Sequence, residues 1–142
     1  MAIQTFKNTI EWSGSGLEVA GGTRGFSVKM DEPQELGGTN TGMNPVEMLL
    51  ASLGGCLTIC GAAFAGKCQV DLRGISVDLE GDLDPAGFLG LNPQTKKGFQ
   101  QIRFKLKIDS PSPQKNIDKL VALIEERCPV SDTLKGVEII AQ

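Results

Sequence analysis

The sequence has 142 residues, 40% of them hydrophobic and 22% charged, and a net charge of −3. This length and composition predict one folded domain over residues 1–142 and exclude a disordered chain, while scattered Lys and Arg residues argue against a nucleic-acid partner. Because the sequence contains no His, it excludes Ser-His-Asp catalysis, Cys-His catalysis and His-ligated metal sites.

The first thirty residues predict short strands separated by glycine turns. Phe6, Ile10 and Trp12 share one parity, and residues 25–30 form a further strand that ends at Asp31. No basic stretch followed by an apolar one opens this region, so it does not resemble a secretory signal. We therefore expect a cytoplasmic protein, whose four cysteines are catalytic, redox-active or buried and not permanently bridged.

A long helix is predicted to begin after the Gly-rich loop of residues 35–44. Asn44 suits the N-cap, Pro45 suits the first helical position, and Glu47 falls where a capping box places a carboxylate. Residues 48–65 carry no charge, but they are rich in Gly, Ser, Thr and Cys and lack aromatic anchors, so we expect no membrane span. A helix that is apolar on every side has to be buried on every side, which predicts a partner subunit and an intimate homodimer.

The clearest strands follow this helix. Residues 75–80 and 102–109 each alternate apolar and polar positions, as antiparallel strands with one solvated face do, and the two solvated faces carry opposite charges. We expect a long loop between them, over residues 82–98. An amphipathic helix is then predicted at residues 116–127, a turn at Ser131 to Thr133 and an edge strand at residues 137–141. Two helices against antiparallel strands make an α+β fold.

Two of the cysteines are predicted on the long helix. Cys56 and Cys60 lie four residues apart, so their sulfurs share nearly one face. Gly54 and Gly55, just before them, lower helix stability but allow another backbone to approach closely. Small buried hydrophobic residues are nevertheless the commoner role of free cysteines, and this alternative stays open.

The other two cysteines differ in their surroundings. Cys128 lies where one helix ends and Pro129 can open another, an N-cap-like position at which backbone N–H groups would lower a thiol pKa. Cys68, beside Lys67, has no evident partner, and we interpret it as structural or incidental. The spacings lack the tight Cys pairs at both ends that structural zinc favours, so we expect no metal and no cofactor.

Two motifs together resemble the OsmC/Ohr family of small proteins that handle peroxides and organic hydroperoxides. The first runs from Asn44-Pro45-x-Glu47 through Leu-Leu-Ala to Gly-Gly-Cys56, and the second is Cys128-Pro-Val-Ser. The resemblance covers nearly the whole chain and implies an OsmC-like fold, with antiparallel sheets, a long buried central helix, a second helix and an intertwined homodimer. It also implies that the Cys56 thiolate attacks a peroxide and becomes sulfenic acid. Cys128 then condenses with it to a disulfide, which an external dithiol reduces.

The family further implies an Arg–Glu pair that assists the reactive thiol. Arg24 is the candidate for the Arg, because a neighbouring cation favours a thiolate. Glu47 is the candidate carboxylate, but the hydroperoxide-reducing branches carry this Glu ten residues before the first Cys, where this chain has Val46. On an ideal helix Glu47 would face away from Cys56, after about 180° of rotation and about 13 Å of rise. A capping role for Glu47 is therefore an equal alternative.

The leading hypothesis is a cytoplasmic thiol peroxidase of the peroxiredoxin type, acting in oxidative-stress defence. Cys56 would be peroxidatic and Cys128 resolving, and the partners would be a second subunit, a small peroxide and a dithiol reductant. The alternative is an OsmC-like dimer that binds an apolar small molecule or handles sulfur without physiological peroxidase activity. Whether Cys60 replaces Cys128 as the resolving thiol stays open.

Overall fold

The computed structural model of the protein describes all residues from Met1 to Gln142. They pack into two compact units, Met1–Leu49 and Leu50–Gln142, and the expectation of a single domain stays a prediction. In chain order the elements are β1 (Thr9–Trp12), β2 (Val19–Thr23), β3 (Phe26–Met30), α1 (Pro45–Phe64), β4 (Gly74–Asp82), α2 (Pro85–Phe88), β5 (Gln101–Asp109), α3 (Gln114–Arg127), α4 (Pro129–Thr133) and β6 (Glu138–Ala141). This content confirms the predicted α+β class.

The first unit contains an antiparallel sheet of β1, β2 and β3, which confirms the predicted short strands. Arg24 and Gly25 join β2 to β3, with φ angles of 53° and 86°. Positive φ at both central residues is the requirement of a type I′ hairpin turn, whose twist matches that of the strands it connects.

A buried carboxylate organises the loop that follows β3. Asp31 is only 1% exposed, and it accepts hydrogen bonds from the Glu32 N–H at 2.7 Å, from the Thr39 hydroxyl at 2.6 Å and from the Thr41 hydroxyl at 2.9 Å. The backbone N–H groups of Thr39 and Thr41 donate to the same carboxylate, each at 3.2 Å. These bonds, with that from the Thr39 hydroxyl foremost, hold the pKa of Asp31 well below its usual range.

The second unit contains a sheet in the order β4-β5-β6, with a core of apolar side chains between it and the helices. Five aliphatic residues of this core have 1% exposure or less, namely Leu53, Leu57, Ile102, Leu120 and Ile124. They come from α1, β5 and α3. The amphipathic helix predicted at 116–127 is therefore confirmed, beginning two residues earlier.

The solvated faces of β4 and β5 pair their charges as predicted. Glu80 lies opposite Arg103 in the antiparallel register, and the Arg103 guanidinium contacts the Glu80 carboxylate at 2.8 Å and the Asp82 carboxylate at 2.7 Å. Lys107 contacts Asp78 at 2.6 Å. Such exposed pairs contribute about 1 kcal/mol or less each, so they favour the correct register more than they stabilise the fold.

The expectation of purely antiparallel sheets is wrong at β6. This strand pairs with β5 in parallel, with Ile102 opposite Ile139. Parallel neighbours require a crossover connection, and α3 and α4 supply it by returning the chain to the end at which β5 began. The predicted edge position of β6 is confirmed.

Two predicted irregular segments contain short helices. The expected loop at 82–98 includes α2, whose N-cap Asp84 accepts a hydrogen bond from the Ala86 N–H at 2.9 Å. The expected turn at Ser131 to Thr133 is part of α4. Both helices place Pro at the first helical position, where its missing N–H costs nothing, so Asp84-Pro85 and Cys128-Pro129 act as helix starts.

Helix α1 buries one face in this chain. Its buried residues are Leu53, Gly54, Leu57, Cys60 and Gly61. A Cβ atom on Gly54 would lie 2.8 Å from Leu79 of β4, and one on Gly61 would meet Ile75. By length and composition alone α1 is apolar enough to cross a membrane, a test that core helices of soluble proteins also pass, so the expectation of no membrane span stays a prediction.

Candidate active site

Two of the four thiols lie on one face of α1. Cys60 is 8% exposed, and Cys56, one helical turn earlier, is half-buried. Side chains four residues apart are neighbours on a helix, and Cys56 is near enough to Cys60 to raise its pKa. The predicted common face is thereby confirmed.

Cys128 is the N-cap of α4, as its position before Pro129 predicted. Its backbone is extended, with φ −73° and ψ 109°, and the Ser131 N–H donates to the Cys128 Sγ at 3.4 Å. Only 1% of the residue is exposed. The thiol therefore takes the place of the hydroxyl or carboxylate that usually caps a helix.

Cys56, Cys60 and Cys128 form one group, which we call the thiol cluster. The Cys56 thiol interacts electrostatically with both of the others and raises the pKa of each, so it is the shared member. All three thiols are free. Cys68 is half-buried against the core and takes no part in these contacts, which agrees with its interpretation as structural.

Burial controls the protonation of the two deeper thiols. It raises the pKa of Cys128 to about 11, outweighing the Ser131 N–H, which acts in the opposite direction. Burial is also the main cause of the raised pKa of Cys60, and the interaction with Cys56 raises that pKa further. The expectation that the N-cap lowers the pKa of Cys128 is therefore wrong, because one N–H···S contact does not offset the removal of a thiolate from water.

The accessible member of the thiol cluster is Cys56. Cys60 and Cys128 are both buried, whereas Cys56 is half-buried, so an oxidant arriving from solvent meets Cys56 first. At neutral pH the raised pKa values keep Cys60 and Cys128 protonated. The arrangement is thus one reachable sulfur with two neutral thiols beside it.

Glu47 lies in a complete capping box at the start of α1. Its N–H donates to the Asn44 Oδ1 at 2.9 Å, and its carboxylate accepts from the Asn44 N–H at 3.2 Å. The side-chain amide of Asn44 also donates to Glu32 at 3.1 Å. The capping role that the sequence indicated is confirmed, and a catalytic role for Glu47 stays a prediction.

Arg24 belongs to the unit Met1–Leu49, whereas the thiol cluster belongs to Leu50–Gln142. Its guanidinium carbon lies 5.2 Å from the centre of the Phe26 ring, within the range of cation–π contacts. Its φ of 53° is one that Gly or Asn adopts more readily, so the backbone alone does not explain an Arg at this position. The assisting role of Arg24 stays a prediction.

A cavity of about 350 Å³ lies in the second unit, and none of the three thiols is among its lining residues. Its lining consists of Leu57, Phe104, Glu125, Ser131, Ile139 and Ala141. Leu57 follows Cys56 in the chain, and Ser131 donates to Cys128. Sequence reasoning missed this cavity because the parallel pairing of β6 forms part of its wall, and no local pattern indicated that pairing.

The family of OsmC-like proteins matches residues 38–141 of the chain. The chain is also similar to the hydroperoxide reductase of Mycoplasma genitalium. The two are 25% identical over 113 residues, which span 78% of this chain and 74% of that protein.

Solved structures resemble the chain over almost its whole length. An OsmC-like protein from Mycoplasma pneumoniae matches with a TM-score of 0.82 at 20% identity, covering 98% of this chain and 95% of that one. An organic hydroperoxide resistance protein OsmC from Legionella pneumophila matches with a TM-score of 0.70 at 21% identity, covering 99% of each chain. At these identities the matches show a shared fold, and they confirm the predicted OsmC-like fold.

Proposed function

We propose, from the premise that this chain belongs to the OsmC-like family, that it is a thiol peroxidase for organic hydroperoxides. The observation that carries the proposal is the thiol cluster, in which a half-buried Cys56 interacts electrostatically with the buried N-cap thiol of Cys128. Similarity to a hydroperoxide reductase supports peroxides as the substrate class. In this proposal the protein acts in the cytoplasm as part of oxidative-stress defence.

The first step is attack of the Cys56 thiolate on the outer oxygen of the hydroperoxide. The O–O bond breaks, the remaining alkoxide takes a proton and leaves as an alcohol, and Cys56 becomes sulfenic acid. Cys128 does not compete for the peroxide because at neutral pH it is a buried, protonated thiol. Burial thus assigns different roles to two chemically identical groups.

The second step joins the two thiols. The Cys128 sulfur attacks the sulfenic sulfur, an S–S bond forms, and the hydroxyl leaves as water with the proton from Cys128. The electrostatic interaction between the two thiols supports this step, because it requires the side chains to be near one another before reaction. An external dithiol then reduces the disulfide by exchange and returns both thiols.

The 350 Å³ cavity has room for an organic substrate, and two of its lining residues, Leu57 and Ser131, neighbour Cys56 and Cys128. Its lining is mixed, since Leu57, Phe104 and Ile139 are apolar whereas Glu125 and Ser131 are polar. Such a lining suits an organic hydroperoxide, which carries a hydrocarbon group and a polar one. The same cavity supports the second candidate function, a protein that binds an apolar small molecule without turning it over. Replacement of Cys56 by Ser separates the two functions, because binding survives it and peroxide reduction does not.

A homodimer belongs to this proposal, and the uncovered face of α1 supports it. Ile59 is 70% exposed, and nothing lies within 4 Å of a Cβ placed on Gly55. The exposed residues on this face are mostly small, comprising Ala51, Ser52, Gly55, Ala62 and Ala63. Small residues around one large apolar side chain allow two helices to approach closely. In this dimer, Arg24 and Glu47 remain the candidates for the pair that assists the Cys56 thiolate.

The test is oxidation of the fully reduced protein with one equivalent of cumene hydroperoxide. Mass spectrometry of the intact chain and its peptides is expected to show loss of two hydrogens, mapped to a Cys56–Cys128 disulfide. The matched control is Cys56→Ser, which retains Cys128 and is expected to consume no peroxide. Full activity of that variant, or wild-type thiols that stay reduced under excess hydroperoxide, would contradict the proposal.

A further inference from the structure

Cys60 has no role in the proposed two-thiol cycle, yet it lies one helical turn from Cys56 on the same face of α1 and interacts with it electrostatically. It is nearly as buried as Cys128, at 8% exposure against 1%. Burial raises the pKa of both, so at neutral pH both meet Cys56 as protonated thiols. Cys60 therefore shares the properties that suit Cys128 to resolve a sulfenic acid.

We propose that Cys60 is a second resolving thiol, which condenses with the Cys56 sulfenic acid when Cys128 does not. The inference rests on the proposed peroxidase function. In this step the Cys60 sulfur attacks the Cys56 sulfur, an S–S bond forms and the S–O bond breaks. The departing hydroxide takes the proton that Cys60 loses and leaves as water. The peroxide has already supplied the oxidising equivalents, and a dithiol reverses the step by exchange.

The backbone geometry of a helix comes close to that of a disulfide at this spacing. Four residues of an α-helix rise about 6 Å, within the range of about 4.4–6.8 Å between Cα atoms that disulfides span. The Cβ atoms are about 5–6 Å apart and must approach to about 4 Å. The Cys56–Cys60 disulfide therefore requires a local bend of α1.

The residues of α1 around these two thiols make this turn of the helix easier to bend. Gly54 and Gly55 precede Cys56, and each lowers helix stability by about 1 kcal/mol relative to Ala. The Thr58 hydroxyl, between the two cysteines, donates to the Gly54 and Gly55 carbonyls at 3.0 Å each. Hydroxyl bonds of this kind to the preceding turn weaken and bend helices.

The experiment uses Cys128→Ser, in which Ser retains a good N-cap for α4. After treatment with cumene hydroperoxide, we expect intact monomer that has lost two hydrogens, with peptides joined through Cys56 and Cys60. The matched control is the double variant Cys60→Ser/Cys128→Ser. It is expected to convert Cys56 to sulfinic acid several-fold faster than the single variant does.

Three results would overturn the inference. The first is sulfinic acid at Cys56 of Cys128→Ser while Cys60 stays free, a result that leaves the peroxidase function standing. The second is a disulfide to Cys68 or a covalent dimer, which would assign resolution to another thiol. The third is absence of oxidation at Cys56 in both wild type and Cys128→Ser, which would refute the peroxidase function as well.

Discussion

Among single residues, Cys128 shows that burial and hydrogen bonding have opposite effects on the pKa of a thiol at an N-cap. The Ser131 N–H favours the thiolate, but removal from water favours the thiol and prevails, so the pKa rises to about 11. The residue that caps α4 is therefore neutral across the physiological range. In the proposed cycle this neutrality prevents Cys128 from reacting before Cys56.

The raised pKa of Cys128 predicts a loss of stability at high pH. The folded protein holds this proton up to about pH 11, whereas the unfolded chain releases it near pH 9.0. The stabilisation that the protonated Cys128 thiol gives to the folded state is fully present below pH 9.0 and is lost as the pH rises toward 11. Between these limits the free energy of unfolding of reduced wild type should fall by about 2 kcal/mol more than that of Cys128→Ser. Urea denaturation at several pH values, with reductant present, measures this difference. Parallel curves of the free energy of unfolding against pH for the two proteins would contradict the prediction.

Residue-scale properties were the least predictable from sequence. The N-cap position of Cys128 followed from Pro129, because proline at a helix start is a local preference. Its protonation depends on a core assembled from distant segments, which no local pattern describes. The role of Asp31 was missed for the same reason, since Thr39 and Thr41 reach it only after the intervening loop has folded back.

At the scale of elements, the glycines of α1 divide according to the face on which they lie. Gly54 and Gly61 are buried against Leu79 and Ile75, whereas Gly55 faces open space. The same residue type thus allows close packing against the sheet on one face and leaves room on the other. The fold of a single chain therefore requires glycine at positions 54 and 61, and it does not require glycine at position 55.

Gly61→Ala is predicted to destabilise the protein by about 1–3 kcal/mol, because the added methyl group would overlap Ile75 and press on Ile124. Gly55→Ala is the matched control. Its methyl group meets no atom of the same chain, and the better helix propensity of Ala favours the variant by up to about 1 kcal/mol. Urea denaturation of the two variants, at protein concentrations too low for self-association, measures both changes, and equal effects of the two substitutions would contradict the assignment of faces.

Elements with a strong local pattern were predicted well. The strands β4 and β5 alternate apolar and polar residues, and α1 begins at a capping box, so their types followed directly from the sequence. The helix α2 was missed, and α4 was indicated only by its start at Pro129, because four or five residues are too few to show helical periodicity. The direction of β6 was missed because parallel pairing is a property of the crossover and not of the strand.

For the whole molecule, the exposed face of α1 predicts how two copies associate. Ile59→Glu would place a carboxylate in the proposed interface, and burial of an unpaired charge costs several kcal/mol. The dissociation constant should rise by about 100-fold or more, as measured by analytical ultracentrifugation across a range of concentrations. Lys119→Glu, which adds a carboxylate to an exposed position of α3, is the control. An unchanged constant for Ile59→Glu would exclude this face from the interface.

The parallel pairing of β6 with β5 has a consequence for synthesis on the ribosome. Cys56 leaves the exit tunnel well before Cys128, and the crossover that positions Cys128 closes only when β6 joins the sheet. Contacts between such distant segments form late in folding. If the proposed cycle holds, a nascent chain would for that interval expose Cys56 without Cys128, the thiol that resolves its sulfenic acid. Cys60 emerges within the same turn of helix, so the second resolving thiol would already be available to shield the growing polypeptide from irreversible oxidation.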